Sequence, residues 1–161
     1  MSTDKIRWDS EPGPAEPYIP IYSSVAGGTI HLIALNHSIV GVWTHWVDGH
    51  VIPCVGKLHG CICQNGQTAS RWKGYLGAWD SKPCRKVLAE ITADAWRQFG
   101  WDEHASNLSL RGLPFKLFRI GRHKNAPARF QLESLSPVPD ELPGPMDVHE
   151  CLRRIWGIPH P

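Results

Sequence analysis

Three thiols and an imidazole fall within ten residues of this chain, in the run Cys54-Val55-Gly56-Lys57-Leu58-His59-Gly60-Cys61-Ile62-Cys63. The run is too polar and too rich in glycine to be a core strand, so the fold must carry it as a loop. His45 and His50 lie just upstream. Thiolate and imidazole at short spacing are the donors of a tetrahedral Zn²⁺ site. Closely spaced ligands lose little loop entropy when a metal gathers them. The expectation is a structural zinc loop over residues 50–70.

The spacing is C-x6-C-x-C, not a pair of C-x-x-C knuckles. Cys54, Cys61 and Cys63 are three candidate ligands, and the fourth comes from His45, His50, His59 or Cys84. His45 is the first choice, because nine residues separate it from Cys54 and a strand around it would fix its ring. His59 sits too close to Cys61 to reach the same ion without straining the loop. Cys84 is farther away but would complete an all-cysteine site. The bland alternative is a set of cytosolic thiols, or a disulfide with thiols left over.

A chain of 161 residues fits one domain plus tails, and its 42% hydrophobic content can supply a core. No apolar run approaches the roughly 18 residues of a membrane span. The opening Met1-Ser2-Thr3-Asp4-Lys5 has no apolar segment, so no secretory signal is expected. Five cysteines, an odd number, argue against a secreted disulfide framework and for the reducing cytoplasm.

The net charge of +2 decides little, but its distribution is uneven. Between residues 111 and 129 stand Arg111, Lys116, Arg119, Arg122, Lys124 and Arg129 with no acid among them. Between 130 and 150 stand Glu133, Asp140, Glu141, Asp147 and Glu150 with no lysine or arginine. A basic block followed by an acidic one is an electrostatic footprint for a polyanion. A solvated basic face is the competing explanation.

Residues 1–28 read as a tail, Pro-rich at 11–17. Strands are expected at 29–35, 39–47, 71–79, 111–120 and 128–133, with Asp48-Gly49 as a turn and a further short strand at 87–91. Thr92 would cap a short helix that Gly100 stops. Residues 136–145 are a second Pro-rich linker, and 146–156 an amphipathic helix. The fold class is therefore mainly β with one or two short helices. The order of strand, strand, strand, helix, strand, strand is that of an OB-like five-stranded barrel, at 29–135, with the zinc loop inserted. An SH3-like barrel and a zinc-ribbon sheet are the alternatives.

On the strand at 71–79, Arg71, Lys73, Tyr75 and Trp79 share one face. Cations meet phosphates and flat rings stack under bases, which is the chemistry of single-stranded nucleic acid. The basic block would add phosphate contacts. Against this stands the commoner case, in which Tyr75 and Trp79 are core and the cations snorkel past them.

These residues together resemble the zinc-containing single-stranded DNA-binding proteins of T-even phages. The match lies in His45 with Cys54, Cys61 and Cys63 between strands, the segment Arg71-Trp72-Lys73-Gly74-Tyr75, and the acidic stretch from Glu133 to Glu150. It covers about half the chain as a pattern, and the cysteine spacing departs from that family's. The resemblance implies an OB-fold interrupted by a zinc subdomain with one histidine and three cysteine ligands. It further implies weakly sequence-selective, cooperative binding, with the acidic segment contacting other replication or recombination proteins.

The leading expectation is thus a non-enzymatic module for single-stranded DNA or RNA, acting in replication, recombination or repair, with structural Zn²⁺. Three thiolates leave a zinc ion little Lewis acidity, and no deaminase, P-loop, nucleophile-elbow or H-E-x-x-H signature occurs. The alternative is a zinc-stapled adaptor that docks its C-terminal helix in a partner.

Overall fold

The computed structural model describes residues 19–55, 61, 69–103, 108–134 and 141–157. Eight strands form one mixed sheet: β1 (Ile21–Ser23), β2 (Thr29–Ala34), β3 (Val40–Val47), β4 (His50–Pro53), β5 (Arg71–Asp80), β6 (Arg85–Thr92), β7 (Pro114–Arg119) and β8 (Ala128–Leu132). Two helices complete it, α1 (Ala93–Glu103) after β6 and α2 (Val148–Trp156) near the C-terminus.

The sheet is organised around β5. β6 pairs with it along one edge, from Lys73↔Thr92 to Asp80↔Arg85. On the other edge β3 covers the first half, from Thr44↔Arg71 to Val40↔Tyr75, and β2 covers the last residues at Ile33↔Trp79 and Ala34↔Ala78. β2 then peels away to pair with β7, and β7 pairs with β8. β1 joins β6 in parallel, and β4 folds back on β3.

Two glycines in β5 let neighbours approach closely. A Cβ at Gly74 would stand 2.8 Å from the Trp72 ring, and one at Gly77 would stand 2.1 Å from Asn36 Oδ1. Asp48 and Gly49 both have positive φ, at 49° and 80°, the conformation of a tight hairpin turn. This is the turn expected at these two residues.

The sheet has a core on each face. Leu32, Leu76, Val87, Ile91, Phe115, Leu117 and Phe130 pack on one side with Ala95 and Phe99 of α1. Leu35, Tyr75 and Leu88 pack on the other with Met146, Val148 and Leu152 of the α2 segment. Thr92 Oγ1 accepts from Ala95 N at 3.2 Å, so the expected cap is present. α1 nevertheless runs through Gly100 to Glu103 instead of stopping there. α2 is closed by Asp147, whose side chain accepts from Glu150 N, and by left-handed Gly157.

The expected class, mainly β with short helices, is observed. The eight-stranded sheet is open and is not clearly the expected five-stranded barrel: among the described residues β6 and β8 do not pair, and α1 packs against both. The strand expected from 111 begins at Pro114, because Gly112 at φ 82° holds residues 111–112 in a turn. β1 lies inside the stretch read as a tail, and β4 inside the stretch read as loop. Each is four residues or fewer, too short for a periodicity of two to declare itself.

Candidate metal centre and the surface around it

His45 sits in the middle of the β3–β4 hairpin, opposite Ile52, and is 1% exposed. Cys54 follows β4 directly, and its N–H donates to Trp43 O at 2.7 Å, which extends the ladder by one step. Cys61 is buried. His45 Nε2 lies 3.1 Å from Cys61 Sγ, and Cys54 Sγ lies 3.6 Å from Cys61 Sγ. All three ligand atoms fall within 4.8 Å of one another, close enough to bind one metal ion.

The sulfur–sulfur distance is that of neighbouring ligands on a tetrahedral metal ion, and the His45–Cys61 distance is somewhat shorter. Bonds of about 2.3 Å to sulfur and about 2.0 Å to nitrogen put neighbouring ligand atoms roughly 3.5–3.8 Å apart. A sulfur–sulfur distance of 3.6 Å is also far beyond the roughly 2.0 Å of a disulfide bond. His45 Nδ1 is buried and has no hydrogen-bond partner among the described residues.

Of the other candidates, Cys63 and His59 lie outside the described residues. His50 is exposed on β4 and stands apart from the group, as does Cys84. Cys84 occupies the β5–β6 turn at φ 53°, where its thiol donates to Ser81 O at 3.2 Å.

The expected nucleic-acid residues divide. Tyr75, expected on a stacking face, is 1% exposed and closed to a base while α2 is docked. α2 covers it, with the Trp156 ring edge-on at 6.0 Å. Tyr75 Oη donates to Glu90 Oε2 at 3.1 Å, and Lys73 Nζ donates to Glu90 Oε1 at 2.8 Å. Burial, then the Glu90 charge and hydrogen bond, push the Tyr75 hydroxyl well above its ordinary pKa of 10.0. Trp79 is half-buried against the same core, and Arg71 is exposed at the start of β5.

In the basic block, Arg111 donates to Leu35 O and Pro143 O, and Arg119 to Ser24 O and Ala126 O. Arg129 donates to Ala128 O, and Lys116 Nζ stands 5.1 Å from the Phe118 ring centroid. These four carry structural contacts. Arg122 and Lys124 are exposed on the β7–β8 turn. Three acids of the following block also have local partners: Glu133 accepts from His31, and Asp147 and Glu150 serve α2.

Two surface rings outside the expected site residues are Trp43, 56% exposed, and Trp46, 61% exposed. They flank buried Thr44 and His45 on β3. The signal was available, since both lie within two residues of a candidate ligand. The regular register of β3 puts them on opposite faces of the strand.

Among the described residues no helix is long and apolar enough to cross a membrane. Comparison with protein-family models, with curated proteins and with solved structures gave no match.

Proposed function

We propose that the chain is a single-stranded nucleic-acid-binding module, braced by a structural zinc ion held by His45, Cys54 and Cys61, with the fourth ligand outside the described residues. Soft thiolates with an imidazole favour zinc over magnesium, calcium or manganese. The ion would supply structure, not chemistry: it ties the β3–β4 hairpin to the segment that enters β5.

The observation that carries this reading is the exposed pair Trp43 and Trp46 beside the metal group. Each face of β3 thus offers one exposed indole ring next to a candidate metal ligand. Bases stack on such rings at about 1–3 kcal/mol each.

The strand pairing adds support. β2 and β3 run consecutively along one edge of β5, so together they stand where an OB-fold has its long first strand. β5 and β6 are then its second and third strands, α1 follows, and β7 and β8 are the fourth and fifth. In that arrangement the metal loop joins the first and second strands, and Arg122 and Lys124 lie on the loop joining the fourth and fifth. Oligonucleotides meet OB-folds at these two loops and the strand face between them.

The adaptor alternative loses its main element, because α2 lays its apolar side chains Val148 and Leu152 on the chain's own sheet.

The test is titration of a labelled oligonucleotide at two salt concentrations. Binding should weaken steeply with salt. Trp43→Ala and Trp46→Ala should each weaken it by roughly 5- to 100-fold. No binding at low salt refutes the proposal.

A further inference from the structure

On the sheet face covered by α2, the β3–β4 hairpin, β1 and the end of α2 border a half-open cleft of about 390 Å³. Its apolar walls come from Ile21, Val51, Ile52, Ile155 and the Trp156 ring, while Tyr75, Glu90 and the exposed His50 supply polar groups. That volume lies at the lower end of small-molecule sites, the scale of one heterocycle.

The polar groups restrict what fits. The Glu90 side chain is 14% exposed. Its Oε1 accepts from Lys73 Nζ at 2.8 Å and from Ser23 Oγ at 3.4 Å. Its Oε2 accepts, among the described residues, from Tyr75 Oη alone. A carboxylate oxygen takes two donors, so Oε2 has capacity for one more. Lys73 already balances the charge of Glu90. An anion would therefore meet the carboxylate, and a cation would compete with Lys73. The complementary ligand is neutral, flat and edged with an N–H donor.

We propose that this cleft holds one amine-bearing nucleobase, cytosine, adenine or guanine, against the Trp156 ring, with its exocyclic amine donating to Glu90. Thymine and uracil have no exocyclic amine, and their N3–H lies between two carbonyl oxygens that the carboxylate repels. The base comes either from a bound strand or from a free nucleoside. The first source rests on the single-strand reading above, and the second does not.

The full chain is titrated by fluorescence anisotropy with oligo-dC, oligo-dA and oligo-dT of about a dozen nucleotides, and with cytidine by calorimetry. Oligo-dC and oligo-dA should bind about tenfold tighter than oligo-dT. Glu90→Gln offers an amide N–H to thymine and should abolish or reverse that preference. Ile155→Trp, at a position 40% exposed, should block the cleft and abolish the preference without the steep salt dependence changing. This second variant decides the matter if Glu90→Gln does not fold.

Equal affinity for the three oligonucleotides overturns the cleft assignment and leaves the single-strand reading standing. A preference that survives Ile155→Trp also overturns it. Cytidine binding that Ile155→Trp abolishes, with no oligonucleotide binding, upholds the cleft as a nucleoside site and overturns the single-strand reading. No binding of any ligand overturns both.

Discussion

Gly77→Ala should unseat the α2 segment from the sheet. Gly77 lies in β5 where Asn36 crosses it, and an added Cβ would stand 2.1 Å from Asn36 Oδ1 and 3.0 Å from Met146 Cβ. Neither neighbour can yield cheaply. Asn36 Nδ2 donates to Met146 O at 2.7 Å, and Met146 N donates to Asn36 Oδ1 at 3.2 Å. This pair anchors the chain just before α2. Losing both bonds costs about 2 kcal/mol, and overpacking adds about 1–3 kcal/mol. The expected loss is about 3–5 kcal/mol, a large fraction of the roughly 5–15 kcal/mol that holds a domain together. For a chain of this size each kcal/mol moves Tm by about 2–4 °C, so Tm should fall by at least about 6 °C. Urea denaturation followed by tryptophan fluorescence measures the free energy, and near-UV dichroism reports Trp156 leaving Tyr75. Gly100→Ala is the control: it lies within α1 with nothing within 4 Å, and should stabilise by about 0.5–1 kcal/mol. Asn36→Ala in the Gly77→Ala background should cost less than the two single losses summed, because the clash and the bonds share one side chain. A Gly77→Ala protein within about 0.5 kcal/mol of the parent, or additive losses in the double variant, would refute the close-approach argument.

Other outcomes are expected. Metal analysis should find one zinc per chain, reduced by His45→Ala and Cys61→Ser. Chelation should lower Tm, since a free metal concentration a hundredfold above Kd adds about 2.7 kcal/mol to a folded site. With metal bound, a thiol reagent should label exposed Cys84 first. Cys151 should follow slowly, its thiol held protonated by burial and then by Asp147 and Glu150; Cys54 and Cys61 should join only after chelation. The Tyr75 pKa is raised in the folded chain. Its contribution to stability is therefore complete below pH 10 and declines above it, by up to about 1.4 kcal/mol per pH unit. Tyr75→Phe should flatten that alkaline slope in denaturation curves measured from pH 8 to 11. Replacing Arg122 and Lys124 with Ala should lower the slope of log affinity against log salt by about 1.4, at roughly 0.7 per phosphate contact. Replacing Arg111 or Arg119 should instead cost stability by about 1–3 kcal/mol through lost bonds to backbone carbonyls.

Local chemistry was legible in the sequence. The Asp48-Gly49 turn, the Thr92 cap, the amphipathic α2 and the strands of the main sheet follow from the conformational and hydrogen-bonding preferences of a few adjacent residues, which no distant contact needs to supply. So did the gathering of His45, Cys54 and Cys61, because loop closure over so few residues is cheap and these donors attract the same ion. What the sequence could not decide is which face of β5 meets water. Alternation assigned Lys73 and Tyr75 correctly to one side, but period two is blind to what packs on that side. α2, more than seventy residues later, covers Tyr75, while Trp43 and Trp46 stay exposed. Arg111 and Arg119 likewise read as free cations until the fold brought Leu35, Pro143, Ser24 and Ala126 carbonyls to them. The gathering of His45, Cys54 and Cys61 was set by neighbours in the chain and the exposed surface of the sheet by neighbours in space, and only the second kind depends on the tertiary structure.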